Sequence, residues 1–134
     1  MLITLGDGPV AVGSTKQKLV TKSSTEAELV AQSDGASPVI EHQEFLESLG
    51  ESASSAIIYQ DNQSTMAMVN NGASKSDRTR HINIRYFWTK EQVDVGNIDI
   101  KYMPTNDMLA DVLTKPIQGE KFIRLRDKLL NMSI

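Results

Sequence analysis

Three acidic residues stand where the chain changes direction, and their types and spacing suggest shared chemistry. Asp61 lies in "AIIYQDNQSTMAM" (residues 56–68), where an apolar strand stops and a helix begins. Glu28 sits one to two turns inside a helix that opens near Ser23. Asp111 sits one turn inside a short helix, nine residues beyond Tyr102 at the end of a second strand. In open α/β sheets, ligands gather beyond the carboxyl ends of parallel strands. Asp61 is at such an end, and the topology lets Glu28 and Asp111 reach the same rim. Three carboxylates a few Å apart repel one another and raise each other's pKa. A divalent cation resolves that conflict. Oxygen ligands in a chain without cysteine suit Mg2+ or Mn2+. Two such ions about 4 Å apart activate water on one side of a phosphodiester and stabilise the leaving oxygen on the other. Each acid also has a simpler use: Asp61 as a turn or N-cap residue, Glu28 as a solvated helix residue, Asp111 as a partner of a helix dipole.

The elements that must position these acids are legible in the pattern. Met1 to Leu5 reads as a strand, Gly6-Asp7-Gly8 as a turn, and Pro9 to Val12 as the return strand of a hairpin. Ser23-Ser24-Thr25-Glu26 matches a capping box, with Ser23 as N-cap and Glu26 reaching back. The helix it opens runs to about Ser33, is broken or kinked by Asp34-Gly35 and Pro38, and resumes from Val39 to Leu49. Phe45, Leu46 and Leu49 share one face of it. After the 56–59 strand comes a helix from about Gln63 to Val69, stopped by Asn70-Asn71-Gly72. Residues 74–80 read as a polar, basic loop. His81 to Val95 reads as helix, with Ile84, Phe87, Trp88 and Glu91 at helical spacing. Ile98 to Tyr102 reads as a strand, Asp107 to Thr114 as a short helix, and Glu120 to Leu130 as the last helix. Trp88, Phe87 and the six methionines are expected in the core. Strands separated by helices imply parallel pairing with right-handed crossovers. An antiparallel hairpin feeding parallel strands makes the fold class α/β with a mixed sheet flanked by helices.

The 134 residues suit one domain, and 40% hydrophobic with 23% charged residues is ordinary for a soluble globular chain. No apolar run approaches a membrane span, and Gly6-Asp7-Gly8 interrupts any signal-peptide core. No membrane partner and no secretion are expected; the lack of cysteine fits a reducing compartment. The net charge of -3 gives no global signal for nucleic acid. Its distribution says more. Residues 26–51 carry seven acids and no Lys or Arg, while Lys75, Arg78, Arg80, Arg85 and Lys90 crowd one later stretch and Lys115, Lys121, Arg124, Arg126 and Lys128 another.

Four pieces, "KLVTKSSTEAELVA", "YQDNQSTMAMV", "RTRHINIRYFW" and "MPTNDMLADVLTKP", occur in this order over almost the whole chain. Together they resemble the ribonuclease H domain at the end of copia-type retrotransposon polyproteins. That family uses four carboxylates around two magnesium ions to cut the RNA strand of an RNA–DNA hybrid. The resemblance implies that Glu28, Asp61 and Asp111 are three of the four, catalytic and metal-binding at once. It implies Mg2+ or Mn2+ as cofactor, an RNA–DNA hybrid or other nucleic acid as partner, and the reverse transcriptase portion of the polyprotein upstream. The setting would be cytoplasmic, in the element's virus-like particle, or nuclear.

The family's first strand carries its first catalytic aspartate and lies at the centre of the sheet. The sequence opens at what looks like the family's second strand, so that central strand is expected to be missing. Asp7, in the turn leaving this strand, falls at the far edge of the sheet and cannot replace the acid. The metal sites should be weakened, and the sheet should show either a gap or a hairpin repacked onto the Asp61 strand; an upstream segment could supply the strand. Asn62 and Gln63 are placed to touch the minor groove of an A-like duplex, and Arg78, Arg80 and Arg85 its phosphates. His81 belongs to the copia-type pattern but is read as a helix-start residue, and His42 as a surface residue. Two other functions compete. One is a non-catalytic nucleic-acid-binding or degenerate retroelement remnant. The other is an unrelated one-metal α/β module such as a phosphatase, for which no nucleophile stands at the other strand ends.

Overall fold

A computed structural model describes residues 1–52, 54–71 and 80–132. The chain forms two compact units, Lys18–Tyr102 on one hand and Met1–Gln17 with Met103–Ile134 on the other. The class is α/β, as expected.

In the unit Met1–Gln17 with Met103–Ile134, β1 (Leu2–Leu5) and β2 (Gly8–Val12) make an antiparallel hairpin. Leu5 pairs with Gly8, so Gly6 and Asp7 are its two-residue loop. Gly6 has a φ of 60°, which a residue with a Cβ rarely adopts. A register shift between Ile3 and Thr4 marks a bulge. A 3-10 helix at Leu109–Leu113 packs with α4 (Gly119–Leu129). The short helix expected from Asp107 is thus shorter and tighter. α4 buries Leu125 completely and carries Arg126 and Lys128 in its last turn, favourable at the negative end of the helix dipole.

In the unit Lys18–Tyr102, α1 (Ser24–Ser48) is one helix of 25 residues. Ser23 is its N-cap, with Oγ accepting from the Glu26 amide at 3.2 Å. Glu26 reaches back one residue further than a capping box requires, its Oε2 accepting from the Lys22 amide at 2.7 Å. The break expected at Asp34-Gly35 and Pro38 does not occur: the helix runs through all three. Proline removes one backbone donor and crowds the preceding turn, but buried residues on this helix keep it continuous through that defect. Leu29, Val30 and Ala36 are fully buried. His42, expected on the surface, is half-buried, and its Nδ1–H donates to the Pro38 carbonyl at 2.6 Å.

β3 (Ala56–Gln60) and β4 (Ile98–Tyr102) pair in parallel, joined through α2 (Gln63–Asn71) and α3 (Arg80–Asp94). One face of this sheet places Ile98 and Ile100 in the interior, and the other exposes Ile57, Tyr59, Asp99 and Lys101. Leu29, Val30, Val69, Ile82, Tyr86 and Ile100 form the core, with Leu19, Met66, Met68 and Val93 packed against it.

Several further expectations bear on how the elements pack. Among the described residues each strand pairs within a sheet of two, so of the two outcomes expected without a central strand the hairpin repacked onto the Asp61 strand is not the one found. The apolar spacing in α3 also chose the wrong stripe. Ile82, Tyr86 and Thr89 face the core, whereas Ile84 and Phe87 are more than half exposed and Trp88 is half-buried. Met1 and Met132 are exposed as well, so the methionines are not uniformly core. On α1, Phe45 and Leu49, which share one face, are both exposed.

Candidate functional site

β3 ends at Gln60, and the next two residues set up the helix that follows. The Asn62 side chain caps α2: its Oδ1 accepts from the Thr65 amide at 3.1 Å, and its carbonyl accepts from the Met66 amide at 3.2 Å. Capping therefore falls to Asn62, not to Asp61, which is left half-buried at the end of the strand. Gln63 is exposed at the first position of the helix.

Two contacts tie this strand end to α1. The fully buried Thr65 hydroxyl donates to the Thr25 carbonyl at 3.3 Å. Gln60, also buried, bridges in two directions: its Oε1 accepts from the Asn62 amide at 3.0 Å, and its Nε2 donates to Gln32 Oε1 at 3.3 Å. Thr25, Glu28 and Gln32 are spaced by three and four residues and so share one face of α1. With Thr25 fastened to Thr65 and Gln32 to Gln60, Glu28 lies on the stretch of helix between those anchors. That is the face turned towards the segment containing Asp61. The half-buried Glu28 is thus positioned from the same end of the unit as Asp61. Gln32 Nε2 is buried with no hydrogen-bond partner among the described residues.

Asp111 belongs to the other unit. It lies in the 3-10 helix and is buried, and its side chain is only 8% exposed. A buried carboxylate requires a counter-charge. Lys115 supplies one, its Nζ standing 2.9 Å from Oδ1 and 3.0 Å from Oδ2. The Lys115 amide also donates to the Asp111 carbonyl at 2.9 Å, which fixes the lysine one turn beyond the acid. Among the described residues, no three or more His, Asp or Glu side chains are gathered closely enough to hold a metal ion as the chain stands.

Of the basic residues expected to meet phosphate, Arg78 lies outside the described residues, and Arg80 opens α3. Arg85 is engaged with Asp34 across to α1, Nη2 to Oδ1 at 3.1 Å and Nε to Oδ1 at 3.3 Å. This is a partly exposed pair, worth at most about 1 kcal/mol, so the guanidinium can exchange partners. His81 is exposed in the first turn of α3. Sequence reasoning missed Gln32, Gln60 and Lys115. The four-residue spacing of Asp111 and Lys115 was a visible signal. The Gln60–Gln32 bond joins residues 28 apart and had none. No helix among the described residues is long and apolar enough to cross a membrane.

The chain is 35% identical over 121 residues to the retrovirus-related Pol polyprotein from transposon TNT 1-94 of Nicotiana tabacum, a match covering 90% of this chain and 9% of that polyprotein. It is 33% identical over 129 residues to the retrovirus-related Pol polyprotein from transposon RE1 of Arabidopsis thaliana, covering 96% of this chain and again 9% of the relative. A truncated transposon Ty1-A Gag-Pol polyprotein of Saccharomyces cerevisiae is 28% identical over 131 residues, 96% of this chain and 11% of its own length. Homologues of this chain are therefore Pol polyproteins of retrotransposons, and the chain spans about a tenth of the length of the relatives it matches. No protein-family model matches, and no solved structure does.

Proposed function

We propose that this chain is a ribonuclease H-like domain of a retroelement Pol polyprotein, acting on the RNA strand of RNA–DNA hybrids through Glu28, Asp61 and Asp111. The observation that carries the reading is the double fastening of α1 to the end of β3, Thr65 to Thr25 and Gln60 to Gln32, which brackets Glu28 on the side of Asp61. The polyprotein relatives supply the context. The donor set fits Mg2+ or Mn2+: all three groups are carboxylates, and Asp111 already draws a cationic group onto both of its oxygens. When bound, such ions supply a nucleophilic water and stabilise the departing oxygen. The residues do the rest. Glu28 and Asp61 are presented by a helix face and a strand end rather than by mobile loops, so little ordering is needed on binding. Gathering the three acids around a cation is part of this reading. A fourth carboxylate would come from an aspartate on a further strand paired to the second edge of β3, which has only β4 as partner among the described residues.

Asn62, Gln63, Arg78, Arg80 and Arg85 are the proposed contacts to the hybrid, and the reverse transcriptase portion of the polyprotein is the neighbouring partner. The setting proposed is the particle in the cytoplasm, or the nucleus. The test is cleavage of a labelled RNA–DNA hybrid with Mg2+ or Mn2+. It compares this chain, a version extended at its N-terminus by an aspartate-bearing strand, and Asp61→Asn in both. Cleavage that rises on extension and disappears with Asp61→Asn supports the proposal. Hybrid binding without cleavage in every version supports a nucleic-acid-binding remnant instead.

A further inference from the structure

We propose that Lys115 is an internal counter-ion that occupies the cation position at Asp111, and that a divalent ion reaches Asp111 only by displacing it. The inference rests on the reading of Asp111 as a metal-binding acid and adds a residue that regulates it. Three observations carry it. First, Asp111 is buried, so its charge needs compensation whether or not a metal is bound. Second, the Lys115 ammonium sits on both carboxylate oxygens, at 2.9 and 3.0 Å, the position that suits a shared cation. Third, the lysine side chain is 52% exposed, so it borders solvent although the acid it pairs with does not.

Lysine is suited to this task. It is a compact point charge on a flexible four-carbon stem, and it does not lock onto a carboxylate as the planar fork of arginine does. The backbone tether from the Lys115 amide to the Asp111 carbonyl keeps the stem in place while the head group moves. An ammonium and a divalent ion on the same two oxygens would repel strongly, so one must leave. The result is a carboxylate that stays neutralised without metal, at the expense of metal affinity.

Calorimetric titration of Mg2+, with Mn2+ as a second probe, into this chain and its Lys115→Met, Lys115→Gln and Lys115→Arg variants tests the proposal. Circular dichroism melts establish that each variant is folded, and the glutamine variant stands in if the methionine variant is not. Removing the charge is expected to tighten binding by about threefold to tenfold. Lys115→Arg is expected to bind no more tightly than the parent chain. In the parent chain, the NMR signal of the Lys115 Cε protons should move towards that of a solvated lysine as Mg2+ is added. Equal or weaker binding by the charge-free variants overturns displacement and leaves the nuclease reading standing. No Mg2+ or Mn2+ binding by any of the four, with no cleavage by the strand-extended chain, overturns both.

Discussion

Asp61 and Asp111 are prepared in different ways. Asp111 is held locally: its counter-ion is four residues away, and the same short segment provides the backbone bond that fixes Lys115 beside it. Asp61 is set by tertiary structure. The residues on either side of it, Gln60 and Asn62, are bonded to each other, and Gln60 is bonded onward to α1. A local arrangement survives small shifts in packing. An arrangement that spans two elements is only as exact as the core beneath it.

Substitutions at and under the two acids break or sharpen that contrast. Leu29 is fully buried beside Glu28, and Leu29→Ala is expected to lower unfolding stability by about 2–5 kcal/mol. A urea midpoint measured on the chain checks this. A surviving Asp111–Lys115 pair alongside lost structure around Asp61 would sharpen the distinction. Gln60→Leu is expected to cost about 1–3 kcal/mol, because it leaves the Asn62 amide and Gln32 Oε1 without their partners in a buried setting. An unchanged midpoint would show that the Asp61 end does not depend on the amide bridge. Asn62→Ala removes the N-cap of α2 and is expected to cost about 1 kcal/mol. Loss of amide protection at Ser64 and Thr65 in hydrogen exchange would locate the effect at the start of that helix. Arg85→Ala should change stability by less than about 1 kcal/mol, since its pair with Asp34 is partly exposed. If the arginine meets phosphate, the salt dependence of hybrid binding should fall by about one unit of slope. An unaltered slope would remove Arg85 from the interface.

Much of this could be read from the residues. Ser23 announced the start of α1 because a serine followed three residues later by glutamate has a specific hydrogen-bonding use. The parallel pairing of β3 and β4 followed from the helices between them. What failed did so for identifiable reasons. Pro38 and Gly35 carry a strong local bias against helix, and burial of Leu29, Val30 and Ala36 overrode it. In α3 the exposed Ile84 and Phe87 drew the expected core stripe away from Ile82, Tyr86 and Thr89, because the buried threonine contributes nothing to an apolar pattern. Whether the hairpin would pair with the Asp61 strand was left open by the residues, because hydrogen-bond partners between distant strands leave no trace in either strand alone. At the candidate site, the acids stood out by position. The side chains that orient them did not, since Gln60 and Gln32 look like any other polar residues until the fold brings them together.

The most direct measurement is Mn2+ titration of the 15N-labelled chain, followed by paramagnetic broadening of its amide signals. The account expects the amides near Glu28, Asp61 and Asp111 to broaden together at low Mn2+, with Asp61→Asn weakening the effect at all three. Broadening at scattered surface acids such as Glu44 and Glu47, with the three regions unaffected or responding separately, would contradict it.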